Sequence, residues 1–184
     1  MGLSKNERRL IEDAKNPVVE VFRPLTRFTS ISIATAGGAG FSPIAPGTCG
    51  TLVAVPLVWW MADFSTAAFL GICVATTLIG IWAASISDKI WGTHDSGRIV
   101  IDEVAGYFVT VAVVDRSNWL ILLVGFFVFR AFDIIKPPPI RAIDRDLGGG
   151  TGVILDDIAA GVMGVAVMFL IGRLGGFDAL ASLF

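Results

Sequence analysis

Histidine and cysteine are nearly missing from this 184-residue chain, and their scarcity removes whole classes of chemistry. With one histidine, His94, a phosphatase built on a histidine pair is impossible. The two cysteines, Cys49 and Cys73, show neither a zinc spacing nor a disulfide framework. Cys49 is not the nucleophile of a Cys-x5-Arg phosphatase, because Val55 stands where the arginine is needed. The Asp-x-Asp-x-Thr motif of aspartyl-phosphate enzymes is missing. So are the Gly-x4-Gly-Lys-Ser/Thr phosphate loop and the Asp-Gly-x2-Ala-Arg signature of CDP-alcohol transferases. Charge is scarce as well: 16% of residues carry one, against roughly 25% in soluble domains. With 54% hydrophobic residues and a mean hydropathy of +0.76, this composition argues for a membrane protein. A net charge of -2 gives no nucleic-acid-binding signature.

The N-terminus lacks the form of a signal peptide, because Lys5, Arg8, Arg9, Lys15, Arg23 and Arg27 leave no uninterrupted apolar segment ahead of a small-residue cleavage site. Residues 1–28 read as a basic, partly amphipathic lead-in of the kind that lies on a membrane surface, with 1–15 as a disordered tail. Residues 29–184 read as a single helical domain.

Apolar residues are concentrated in five runs, at 51–61, 67–86, 104–114, 119–135 and 153–171. The expected fold is an all-α membrane bundle of about five main apolar helices. The runs at 51–61 and 104–114 fall short of the roughly 20 residues that a span needs. A soluble bundle with a very apolar core is the competing architecture. Connected as hairpins, the runs alternate their loops between two sides. All 14 Lys and Arg except Arg116 and Arg173 then fall on the side of the lead-in and of loops 36–50, 87–102 and 136–152. The positive-inside rule makes that side cytoplasmic.

The polar clusters sit on the same side. Asp88 ends the second run, His94-Asp95 lies in the loop after it, and Asp102-Glu103 opens the third helix. Asp133 closes the fourth, and Asp156-Asp157 is expected in the first turn of the fifth. Each alone reads as a helix cap or dipole partner. Together they place several carboxylates in a poorly solvated region, which requires protons or cations. A hard, oxygen-preferring cation such as Mg²⁺ is the natural partner. Arg130, Asp133 and Lys136 recur at i, i+3, i+6 on one face of the fourth helix, which Pro137-Pro138-Pro139 should stop at about Lys136. Glycine-rich entries at 47–51 and 148–152 lead into apolar helices, where free backbone N–H groups bind phosphate.

The expected assignments follow. Asp102, Glu103, Asp133, Asp156 and Asp157 supply metal-binding carboxylates. Arg130, Lys136 and Arg141 hold phosphate, aided by backbone at Thr48, Gly50 and Thr51. His94 with Asp95 serves proton transfer. Metal-assisted attack by water on a phosphate ester is the chemistry that survives the exclusions above. The rival is a non-enzymatic ion-binding or carrier protein of the membrane. Carriers keep their charges near the midplane, whereas these lie at helix ends.

Four ordered motifs carry a family resemblance. They are Gly40-Phe41-Ser42-Pro43-Ile44-Ala45-Pro46-Gly47-Thr48-Cys49-Gly50-Thr51-Leu52, the stretch His94-Asp95-Ser96-Gly97-Arg98 through Asp102-Glu103 to Gly106, Phe129-Arg130-Ala131-Phe132-Asp133-Ile134-Ile135-Lys136-Pro137, and Gly149-Gly150-Thr151-Gly152 through Asp156-Asp157 to Gly161. Over most of its length the chain resembles the phosphatidylglycerophosphatase A family. The resemblance implies a multi-pass, Mg²⁺-dependent lipid phosphatase of the bacterial inner membrane with a cytoplasm-facing site. Its implied partners are membrane lipid and the phospholipid phosphatidylglycerophosphate, converted to phosphatidylglycerol and phosphate. Where the family often has Lys-Pro-Trp-Pro, this chain has Lys136-Pro137-Pro138-Pro139. Nothing in the sequence sets an oligomeric state.

Overall fold

The computed structural model describes residues 17–93, 95–146 and 149–177. Among them the chain is helical throughout, without a strand: α1 Pro17–Ala34, a 3-10 turn Ala39–Phe41, α2 Pro46–Trp60, α3 Thr66–Trp91, α4 Ile101–Thr110, α5 Trp119–Ile135, α6 Ile140–Asp146 and α7 Gly149–Arg173. All five apolar runs are helices, and α1 and α6 are added to them. The lead-in expected over 1–28 falls partly on α1, and its first 16 residues lie outside the described residues.

Local chemistry sets the helix ends. Pro46 opens α2, where a missing N–H costs nothing. The Ser65 side chain caps α3 by accepting from Ala68 N–H, and Gly92, at φ 67°, ends it. The Asn118 side chain caps α5 by accepting from Leu120 N–H. Lys136 ends α5 with its N–H on the Phe132 carbonyl, just before the proline run.

α4 is the centre of the molecule. Most of its residues are buried, including Ile101, Asp102, Val104, Tyr107 and Phe108. It packs most extensively on α7, and small residues permit the approach: a Cβ on Gly106 would strike Phe129 and the Asp157 carbonyl, and one on Gly161 would strike the Gly106 carbonyl. Tyr107 Oη donates to the Leu122 carbonyl (2.9 Å), fixing α5 against α4.

The expected spanning bundle narrows here. Among the described residues two helices, Thr66–Trp91 and Gly150–Arg173, are long and apolar enough to cross a membrane. α4, at ten residues, rises only about 15 Å and is a core helix. The outward side chains Leu70, Val74, Leu78 and Trp82 of α3 and Phe169 and Leu170 of α7 are exposed and apolar, the kind of patch that marks a lipid or protein contact.

Segments expected on the same side do meet at two places. The turns after α2 and α4 meet at one end, where Arg116 donates to the Ala112 carbonyl (2.9 Å) and the Phe64 carbonyl (2.5 Å) and stacks on Phe69 at 4.4 Å. At the other end Val100 N–H donates to the Ala34 carbonyl (2.8 Å), joining α1 to the start of α4. Residues 136–152, expected as a loop, contain the short helix α6 and the start of α7.

Candidate active site

At the end where α1 meets α4, a cleft of about 470 Å³ opens. Asp102 and Glu103 enter it from the first turn of α4, where Asp102 Oδ1 accepts Glu103 N–H at 3.0 Å. Arg130 and Asp133, one turn apart at the end of α5, form an ion pair of 2.5 Å, and Arg130 Nη1 also reaches Glu103 Oε1 at 3.7 Å. Lys136 stands at the end of α5 in left-handed backbone (φ 44°) and places Nζ 2.6 Å from Asp156 Oδ2. Asp95, also left-handed at φ 60°, lines the cleft from the loop after α3.

Asp156 and Asp157 are not in a first turn. α7 begins at Gly149, so both lie roughly two turns inside it and are buried. A helix-cap role is thereby excluded for them. Glycine reads as a loop in sequence, but here it serves contact between helices: a Cβ on Gly150 would overlap Ser85 of α3.

The electrostatics are unbalanced toward negative charge. Side-chain oxygens of Asp102, Glu103 and Asp157 all come within 4.8 Å of one another. Burial, and then the charges of Glu103 and Asp157, push the Asp102 carboxyl well above the usual carboxylate range. Burial also raises Glu103. Glu103 Oε2 and Asp157 Oδ2 are buried without a hydrogen-bond partner, a costly condition for an anion unless a cation or proton meets it. A compact set of hard carboxylate oxygens with unused lone pairs suits Mg²⁺ or a similar ion.

α2 faces this cluster with its N-terminus. Ala45, Pro46 and Gly47 line the cleft, and Ala45 provides no side-chain cap. The first intrahelical bond runs from Cys49 N–H to the Ala45 carbonyl (3.1 Å), so the N–H groups of Gly47 and Thr48 precede it. A Cβ at Gly47 would overlap the Glu103 carboxylate, so glycine is needed where α2 approaches α4.

Of the residues expected to act, Asp95, Asp102, Glu103, Arg130, Asp133, Lys136, Asp156 and Asp157 share the cleft. Four expected phosphate ligands are not in its lining. Thr51 is fully buried and donates its hydroxyl to the Gly47 carbonyl (3.0 Å). Gly50 packs on Val100, Thr48 contributes no lining side chain, and Arg141 is exposed on α6 with Nη2 3.4 Å from the Ile135 carbonyl. His94 lies outside the described residues. Gly47 belongs to the glycine-rich entry expected at 47–51 but was not among the named phosphate ligands, although Pro46 before it marks the first turn of a helix and hence the first free N–H groups.

Known proteins give an independent comparison. The family model described as "Phosphatidylglycerophosphatase A" matches residues 32–172. A "Phosphatidylglycerophosphatase A" of Escherichia coli (strain K12) is 39% identical over 147 residues, covering 77% of this chain and 82% of that protein. One of Haemophilus influenzae is 36% identical over 140 residues, covering 76% and 86%. A "Putative phosphatidylinositol-3-phosphatase" of Bacteroides thetaiotaomicron is 38% identical over 144 residues, covering 73% and 88%. No solved structure gives a significant match. With the family model spanning all of α2 to α5 and nearly all of α7, the chain belongs to the phosphatidylglycerophosphatase A family and is a phosphatase acting on a phosphate monoester.

Proposed function

We propose that this chain is a Mg²⁺-dependent lipid phosphatase of the bacterial inner membrane. It would remove the terminal phosphate of phosphatidylglycerophosphate, leaving phosphatidylglycerol, at a cleft facing the cytoplasm. The observation that carries this reading is the convergence of Asp102, Glu103 and Asp157 beside Arg130, Lys136 and the N-terminus of α2. The substrate rests on the names of the Escherichia coli and Haemophilus influenzae relatives. The orientation rests on the positive-inside rule applied to the Lys and Arg that the sequence places in or beside segments 87–102 and 136–152.

Asp102, Glu103 and Asp157 would hold the divalent cation, with Asp133 and Asp156 beside them. Bound there, the ion would supply Lewis-acid charge to the phosphoryl oxygens. The N–H groups of Gly47 and Thr48 would orient the phosphate at the positive end of the α2 dipole. Lys136 and Arg130, held by carboxylates on either side of the cleft, would stabilise charge that develops in the transition state. Water attacks phosphorus, a cleft carboxylate takes its proton, and the bond from phosphorus to the glycerol oxygen breaks. Asp95 at the cleft wall would protonate that leaving oxygen.

The Bacteroides thetaiotaomicron relative favours a second reading, in which the same cleft acts on a phosphoinositide. A panel of phosphatidylglycerophosphate, phosphatidylinositol 3-phosphate, phosphatidic acid and glycerol 3-phosphate, each in the same detergent, separates the two. The first reading expects the highest kcat/KM on phosphatidylglycerophosphate. Preference for the phosphoinositide would replace it with the second.

A further inference from the structure

Asp88 is a buried carboxylate that the reaction scheme does not use. It lies in the last turn of α3, outside the cleft lining. A negative charge is unfavourable there, because the carbonyl end of a helix is itself negative. The side chain is not needed to stop α3 either, since Gly92 is left-handed and its N–H already donates to the Asp88 carbonyl. The Asp88 carboxylate is instead bonded to the loop that follows. Oδ1 accepts from Thr93 Oγ1 (3.0 Å) and Ser96 N–H (3.1 Å), and Oδ2 accepts from Asp95 N–H (3.0 Å). Between those anchors Asp95 has φ 60°, left-handed backbone that aspartate tolerates better than most non-glycine residues. Asp95 and Gly97 line the cleft.

We propose that Asp88 is a positioning residue: its three hydrogen bonds hold the loop after α3 so that Asp95 stands at the cleft. This rests on the role given to Asp95 above.

Two arms test it on the full-length protein in detergent. In the first, hydrogen–deuterium exchange is followed without substrate. Asp88→Asn replaces one acceptor oxygen with an amide donor facing the loop's N–H groups, so amides of residues 95–98 should exchange at least tenfold faster while α4 and α7 stay protected. In the second, kcat and KM on phosphatidylglycerophosphate are measured for wild type, Asp88→Asn, Asp95→Ala and the double variant. Misplacing a reacting group costs about 100-fold, so Asp88→Asn should lower kcat by about 10- to 100-fold with KM within threefold. The double variant should be no slower than Asp95→Ala alone, because Asp88 acts through Asp95. Thr93→Val, which removes one anchor, should give the same exchange pattern and a smaller kcat loss, and it serves if Asp88→Asn does not fold. Unchanged exchange in Asp88→Asn, or losses that multiply in the double variant, would overturn the proposal. A wild type inactive on the lipid would refute the proposed substrate, and the exchange arm would still decide whether Asp88 holds the loop.

Discussion

Lys136 Nζ lies 2.6 Å from Asp156 Oδ2 and so joins the end of α5 to the interior of α7 across the cleft. The lysine keeps part of its surface in water while the aspartate is almost fully enclosed, so the pair exchanges desolvation of one carboxylate for a close charge. Lys136 also occupies left-handed backbone as the residue that ends α5. Replacing it with Met removes a cation from the phosphate's path and leaves Asp156 without that partner. The expected result is a fall in kcat/KM of about 100-fold, the usual cost of losing one donor to a transition-state oxygen. Steady-state kinetics on micellar substrate measure it.

Gly47 is where α2 touches the acidic cluster. Gly47→Ala drives a methyl group into the Glu103 carboxylate and toward Arg130. Overpacking of this kind costs about 1–3 kcal/mol, and here it also displaces a carboxylate from the cluster. The variant is expected to lose Tm in detergent and to bind Mg²⁺ more weakly by calorimetry. Gly97→Ala, with open space around its Cβ, is the control and should leave Tm unchanged.

Arg116 tests the far end of the molecule. Its guanidinium is buried, bonded to two carbonyls and stacked on Phe69. Arg116→Met exchanges these bonds for an apolar side chain and leaves the Ala112 and Phe64 carbonyls without their donor. A loss of about 2–4 kcal/mol is expected, since charge-assisted bonds contribute about 1.5–3 kcal/mol each and part is regained by packing. Below its Tm the variant should keep wild-type kcat/KM, because Arg116 lies at the opposite end from the cleft.

The pH dependence of stability has a definite sign. Burial raises the folded-state pKa of Asp102 and of Glu103 above the unfolded values. A carboxyl of that kind holds its proton more tightly when folded. Its stabilising contribution is complete below the unfolded pKa, at about 4, and is lost as pH rises through the folded pKa. Thermal unfolding in EDTA should therefore show Tm falling as pH increases from 5 to 8. Saturating Mg²⁺ should flatten that slope, because the cation replaces the protons.

Much of this was legible in the sequence because long apolar runs and prolines are local signals. The five runs are helices, α5 ends beside Lys136, and Asp102-Glu103 opens α4 just ahead of the apolar run at 104–114. What failed was read from glycine. Gly149–Gly152 looked like a loop, yet α7 begins there because glycine is also what lets Gly150 pack against Ser85. That shift carries Asp156 and Asp157 from a cap to the buried interior. Thr51 was expected to offer phosphate its backbone, yet it is fully buried in α2 and outside the cleft lining. Whether α4 spans was undecidable from hydropathy, because an apolar core helix and a membrane helix have the same composition; its ten-residue length decides it. Arg116, an exception to the charge asymmetry, is bonded to carbonyls within the protein.

The central claim is that Asp102, Glu103 and Asp157 form the metal-binding centre of a lipid phosphatase. Its most direct test is phosphate release from phosphatidylglycerophosphate by purified wild type, Asp102→Asn and Asp157→Asn, each with Mg²⁺ and with EDTA, and with helicity checked by circular dichroism. The account predicts release by wild type that requires Mg²⁺ and spares soluble phosphomonoesters, and no release by either variant while both remain helical. Full release by both variants, or wild-type release undiminished in EDTA, would contradict it.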